Sequence, residues 1–262
     1  MRKKFLSATH KYHGGVDTDT IVPFMICAAF LIVLLKRPFF HHPNYFRSAP
    51  HGTWTFVGKM GRVEQIPGAL AMIGIFWMLF NMPEFTILSL AYALMYMAYL
   101  FMWFAEVVTP KLPWGIAVID PGPIGKWPRA IVLGVLAGLA WFFLLVMLGV
   151  VETGAMQAVF ITGPAWLFVY GFAVPWVEEQ MFRGFALPTQ VEGMGIVPSI
   201  LVIASMFAGF HWFAFQYALP MLLGAFGFAV VASVLVLHTR TTIAGIAMHM
   251  VYNILILMLV MG

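Results

Sequence analysis

Apolar residues in this chain gather into long blocks separated by short polar or proline-rich stretches. Eight blocks stand out, at about 21–35, 66–80, 85–105, 130–151, 160–177, 196–216, 219–237 and 242–261. A helix that crosses a bilayer needs roughly 17–25 predominantly apolar residues. The third, fourth, sixth, seventh and eighth blocks meet this. The first two are short by the same measure, and the first suits a tilted, half-buried or re-entrant segment. The pattern predicts an all-α, polytopic membrane helix bundle with about eight transmembrane segments, or seven if the first does not cross. Residues 1–262 read as a single integral membrane domain.

Two connections hold most of the remaining sequence. Residues 36–65 carry Lys36, Arg37, Arg47, Lys59 and Arg62 among aromatics and prolines, which fits a loop with an interfacial piece. Residues 106–129 carry Pro110, Pro113, Pro121, Pro123 and Pro128, so regular helix is not expected there. Trp103, Trp114 and Trp127 lie around that stretch, as aromatic belts do at the headgroup level. Met1–Lys4 is basic, but the polar stretch Ser7–Thr20 separates it from the first apolar block, unlike a signal peptide. Cys27 is the single cysteine, so no intrachain disulfide or cysteine metal site is expected.

Composition strengthens the membrane reading. Hydrophobic residues make up 62% of the chain and charged residues 9%, against roughly 25% charged in ordinary soluble domains. That is too little charge to cover a soluble fold of this size, and the mean hydropathy of +0.94 agrees. Lipid must solvate most of the exterior. The net charge of +4 comes from basic residues at the ends of apolar blocks, where they orient the chain and meet anionic lipid rather than nucleic acid. With all eight blocks crossing, one side receives 4 Lys and Arg and the other 10. The positive-inside rule puts the richer side in the cytoplasm. The link that holds Glu178 to Glu192 falls on that side whether or not the first block crosses.

Charged side chains at membrane depth cost at least ~2.5–3.5 kcal/mol each, so they persist where they pair or do chemistry. Here they concentrate in the last third. Glu178, Glu179 and Arg183 follow an apolar run directly. On a helix, Glu179 and Arg183 are i,i+4 neighbours able to pair, and Glu178 points about 100° away, as the carboxylate left over. His211 closes the run Phe207–His211 in the sixth block. His249 and Asn253, again i,i+4, share a face of the eighth. A lone histidine in a membrane is more often an interhelical hydrogen bond than a catalyst. Here a carboxylate, two imidazoles and a carboxamide come from three separate helices, and all can converge on one cavity.

Taken together and in order, Glu178-Glu179-x-x-x-Arg183, Phe207-x-x-x-His211 and His249-x-x-x-Asn253 resemble the signature of a family of integral membrane proteins, the type II CAAX prenyl endopeptidase and bacteriocin-processing family. The resemblance covers about 165–258, which reads as the catalytic core. It implies an intramembrane endopeptidase of the glutamate type that needs no cofactor or metal. In that reading Glu178 and His211 activate a water, His249 and Asn253 stabilise the oxyanion, and Glu179 with Arg183 supports the site. The partners implied are the bilayer and a peptide or protein substrate, with prenylated CAAX proteins, leader peptides and membrane proteins all open. The location implied is the cell membrane, or the endoplasmic reticulum of a eukaryote, with the site opening to the cytoplasm. The residue types suit these roles, since an amide N–H and an imidazole N–H can both meet a developing oxyanion. Gly209, Gly224, Gly227 and Gly245 in the last three blocks would let helices approach closely.

Other classes compete. Two histidines and two glutamates could bind zinc, although no H-E-x-x-H is present and asparagine is a poor zinc ligand. A proton-coupled transporter also uses buried Glu, His and Arg, but it would be expected to show matching broken helices in two halves. A non-catalytic, immunity-type membrane protein is the third. His10, His13, His41, His42 and His51 read as solvated loop histidines. Glu84, Glu106 and Glu152 read as interfacial charges at block ends.

Overall fold

A computed structural model describes residues 62–81, 93–99, 124–151, 164–211 and 218–261. These residues are helical apart from short turns, with no strand among them. Helix α1 is Arg62–Asn81 and α2 covers 93–99. Helix α3 is Trp127–Met147, entered through the 3-10 turn Ile124–Lys126. Helix α4 runs unbroken over 164–194. Helices α5, α6 and α7 are Ile196–Phe210, Leu219–Thr239 and Ile243–Met261. The first apolar block, much of the third, the scattered N-terminal histidines, Cys27 and the block-end glutamates lie outside the described residues.

Ile124–Met147 and Leu219–Thr239 are long and apolar enough to cross a membrane, and Ile66–Met78, Ile196–Phe210 and Ile243–Leu259 are shorter apolar helices. The count of about eight crossings is not established by these. Several boundaries differ from the sequence reading: α1 starts at Arg62 rather than 66, α3 ends at Met147 rather than 151, and α5 ends at Phe210 rather than 216, short of the length expected of a crossing; two more differences have a clear cause. Helix α3 begins at Trp127, inside the stretch expected to be irregular, because Pro128 falls in its first turn, where a missing N–H costs nothing. The fifth block does not end at 177 in a polar link. Helix α4 continues to Met194, and Glu178 through Leu187 are all buried. Polarity ended the block in the sequence, but Glu179 and Arg183 pair inside the bundle and so need no loop.

Helix α7 is the central element, lying chiefly against α3 and also against α4 and α6. The approach to α3 depends on Gly134 and Gly138. A Cβ on Gly134 would run into the Ala244 carbonyl, and one on Gly138 would stand 2.7 Å from the Met248 carbonyl oxygen. This is small-xxx-small packing, which membrane helices use where no hydrophobic effect draws them together. The opposite face of α3 exposes Val132, Leu136, Phe143 and Met147, a surface for lipid. Helices α6 and α7 are joined by a tight turn. Arg240 takes a left-handed conformation with φ 57° and returns its N–H to Val236. Thr241 Oγ1 then accepts the Ile243 N–H at the start of α7.

Helix α4 widens twice into π-helical turns, over Val169–Ala173 and Gln180–Ala186. Each widening ends shortly before a proline, Pro175 and Pro188. A proline in a helix lacks the N–H for its own turn, and its ring crowds the carbonyl four residues back. At the first widening the Val174 N–H bonds to Val169, and at the second the Leu187 N–H bonds to Phe182. The carbonyls of Tyr170 and Arg183 thereby lose their usual i+4 partners, and the i+5 residues are the prolines. Wide turns of this kind recur at functional sites, and here the candidate carboxylates lie between them.

Candidate functional site

Glu178 and Glu179 sit at the end of the regular turn Val174–Glu179, 1% and 0% exposed. Adjacent helical residues diverge by about 100°, so the two carboxylates face different neighbours. Glu179 Oε1 accepts from Arg183 Nη1 at 2.9 Å and from His249 Nδ1 at 3.0 Å. This one oxygen ties two turns of α4 together and joins α4 to α7. Gly245, one turn before His249, leaves the space that lets Glu179 reach this position.

Arg183 is fully buried. Its guanidinium lies over the Phe207 ring, 4.3 Å from the centroid. Its Nε and Nη2 meet no hydrogen-bond partner among the described residues. The cation is thus held by a carboxylate on one side and an aromatic face on the other, a contact worth about 2 kcal/mol or more when desolvated. The same Phe207 ring stands 4.4 Å from His211 and 5.9 Å from His249, and edge-on to Phe182 at 5.2 Å. Phe207 is therefore the wedge between the cation and both imidazoles.

His211 follows the last residue of α5. Its Nδ1 is 2.8 Å from the Phe207 carbonyl. A carbonyl only accepts, so Nδ1 carries the hydrogen, and Nε2 of the neutral ring presents a lone pair. That Nε2 stands 3.6 Å from Glu178 Oε2. Among the described residues neither oxygen of Glu178 meets a partner at full hydrogen-bond geometry, while the hydroxyl of buried Tyr96 on α2 is turned toward the same carboxylate. His211 is also within electrostatic reach of His249, Arg183 and Glu179.

His249 is 4% exposed, with Phe228 edge-on at 5.0 Å. Because Nδ1 donates to Glu179, Nε2 bears a hydrogen only in the imidazolium form. The sequence left that form open. Asn253, one turn further along α7, is half-buried and donates through Nδ2 to the Tyr170 carbonyl at 2.8 Å. The Tyr170 side chain lies within electrostatic reach of Glu178, so Asn253 anchors beside the same centre. The structure thus brings Glu178 to His211, and Glu179 to Arg183 and His249. Asn253 joins through Tyr170 rather than through a direct bond to the others.

Sequence reasoning missed Tyr96, Tyr170 and the bridging position of Phe207. A tyrosine hydroxyl inside an apolar run needs a partner, and that was the available signal for Tyr96 and for Tyr99, which accepts the Trp176 Nε1–H at 2.9 Å. Of the glycines singled out, Gly245 meets Glu179, Gly227 the Trp141 ring and Gly224 Leu145, whereas Gly134 and Gly138 went unnoticed. Among the described residues no group of three or more His, Cys, Asp and Glu is arranged to hold a metal ion.

No curated protein and no solved structure matches the chain. Residues 160–255, which hold all three motifs and every contact of the site on α4, α5 and α7, match the family described as Type II CAAX prenyl endopeptidase Rce1-like, a family of membrane proteases, and the match supports the resemblance read from the motifs.

Proposed function

We propose that the chain is an intramembrane endopeptidase of the CAAX prenyl protease type, in which Glu178 and His211 activate a water and Asn253 and His249 stabilise the oxyanion. The observation that carries this reading is the division between the two glutamates. Glu179 is engaged by Arg183 and His249, whereas Glu178 faces the lone pair of His211 across 3.6 Å. Two acceptors at that separation suit a water that donates one hydrogen to each. Its oxygen lone pairs then point away from both, toward a peptide carbonyl.

In the attack, the water oxygen bonds to the carbonyl carbon and its proton passes to Glu178. The carbonyl oxygen takes the charge and meets the second Nδ2 hydrogen of Asn253 and, with the imidazolium, the Nε2 hydrogen of His249. Collapse breaks the carbon–nitrogen bond. The proton held by Glu178 passes to the leaving amine, the hydrogen left on the attacking oxygen passes to His211 Nε2 and from there to water, and the products are a carboxylate and an amine. The site's burial keeps bulk water scarce, which strengthens each electrostatic contact. The peptide substrate is proposed to reach the site from the cytoplasmic side, and a prenylated CAAX peptide is the first candidate.

The test is cleavage of a prenylated CAAX peptide by the purified protein in detergent. Glu178→Gln and His211→Ala should each lower kcat by about 10²–10⁴, the usual contribution of a positioned general base. Equal cleavage by the parent and both variants would refute the assignment.

A further inference from the structure

The orientation of Asn253 has a cause inside helix α4. The Tyr170 carbonyl has lost its i+4 partner, because the Val174 N–H bonds to Val169, and residue 175, the i+5 position, is a proline with no N–H. A buried helix carbonyl without a partner costs free energy comparable to a lost hydrogen bond. Asn253 Nδ2 supplies the missing donor at 2.8 Å.

This bond determines more than stability. A carboxamide can turn over and exchange its oxygen and nitrogen, and the two orientations have opposite chemistry. A carbonyl only accepts, so Tyr170 admits the nitrogen end and rejects the oxygen. One Nδ2 hydrogen is spent on Tyr170, and the other is held at a fixed angle to it in the plane of the amide. We infer that Pro175 and the Tyr170 carbonyl act as a positioning device, holding Asn253 with its nitrogen toward the site so that its second hydrogen is available to an oxyanion. This rests on the donor role of Asn253 proposed above. It adds two positioning elements, a proline and a backbone carbonyl, that a search for polar side chains passes over.

The device makes a specific prediction for Pro175→Ala. Restoring an N–H at 175 gives α4 a backbone donor that competes for the Tyr170 carbonyl, either directly or by letting the wide turn close and the Val174 N–H move back to it. In protein with ¹⁵N-labelled asparagine, one of the two Asn253 side-chain hydrogens should exchange with solvent at least ~10-fold more slowly than the other, as a hydrogen-bonded donor does. The Asn253→Asp variant identifies the signals by their loss. In Pro175→Ala that protection should fall, and kcat on the prenylated peptide should fall about 10-fold with KM little changed. In an Asn253→Ala background the proline change should cost nothing further, since interacting residues are non-additive.

Equal exchange of the two hydrogens in the parent would overturn the anchor. Unchanged protection in Pro175→Ala would overturn the part assigned to proline, and so would an equal loss of kcat with and without Asn253. Full cleavage by Asn253→Ala, with protection intact in the parent, would instead sink the donor role while leaving the anchor in place. If Pro175→Ala does not fold, an ester in place of the Tyr170–Gly171 amide weakens the same carbonyl as an acceptor and leaves every side chain in place. It should lower the protection and kcat in the same way.

Discussion

Alanine at position 245 tests how firmly Glu179 is held. A Cβ there would lie 2.5 Å from Glu179 Oε2, 3.4 Å from its Cδ and 3.2 Å from Val236 Cγ2. Ordinary van der Waals separations are ~3.5–4.0 Å between carbons, so the carboxylate must retreat by roughly 0.5–1 Å. It has little room for that, since Glu179 is 0% exposed and its other oxygen receives Arg183 at 2.9 Å and His249 at 3.0 Å. Overpacking of this kind costs about 1–3 kcal/mol, and weakening a hydrogen bond to a charged group costs part of about 1.5–3 kcal/mol more. Alanine recovers about 1 kcal/mol of helix propensity over glycine. The net expectation is a loss of roughly 1–3 kcal/mol, most of it from overpacking.

Activity should fall further than stability implies. Glu179 holds His249, and if His249 has the oxyanion role proposed above, a displacement of about 1 Å can cost ~10²-fold. The measurements are thermal unfolding in detergent and kcat on the prenylated peptide, with Gly125→Ala as the control. Among the described residues a Cβ at Gly125 meets nothing within 4 Å, so that variant should match the parent. If Gly245→Ala unfolds at or above the parent's temperature and cleaves at the parent's rate, the tight seat inferred for Glu179 is wrong.

Two further outcomes are expected. Arg183→Lys keeps the charge but loses the planar face that lies 4.3 Å over Phe207, so kcat should drop at least ~10-fold, in line with a desolvated cation–π contact. Phe207→Leu should do the same while Phe207→Tyr retains more, and a fully active Arg183→Lys would mean that charge alone suffices. Treatment with a metal chelator should leave cleavage unchanged, with no stoichiometric zinc by mass spectrometry. Zinc lost together with activity would overturn the metal-free mechanism.

The helical, membrane-type architecture was legible because lipid imposes long apolar blocks that need no alignment to see. The ends of α6 and α7 were within two residues of the sequence reading, since Arg240 and the threonines after it interrupt an otherwise apolar run. The extent of α4 was not legible. Glu178, Glu179 and Arg183 look like the start of a loop when each charge is counted alone, and only the pairing of Glu179 with Arg183 and His249, and the approach of His211 to Glu178, make them compatible with a buried helix. The motif residues stood out as polar side chains in apolar runs, and their order resembled that of a known family. Tyr96 and the Tyr170 carbonyl were not, because the partner of a tyrosine hydroxyl or of a backbone oxygen is set by which helices meet.

The adjacency of Glu178 and Glu179 is explained by the same geometry. Two carboxylates one residue apart on a helix cannot serve the same partner, because about 100° separates them. Glu179 looks toward α7 and is fixed by Arg183 and His249. Glu178 looks toward α5 and α2, where His211 and Tyr96 face it. The fixed carboxylate offsets the charge of the buried arginine, and that arginine in turn sets the Phe207 ring against both imidazoles. In the proposed mechanism the support must be rigid, whereas the general base proposed for Glu178 must be able to gain and lose a proton. One residue cannot meet both demands, and placing them on neighbouring positions of one helix keeps the support in register with the base.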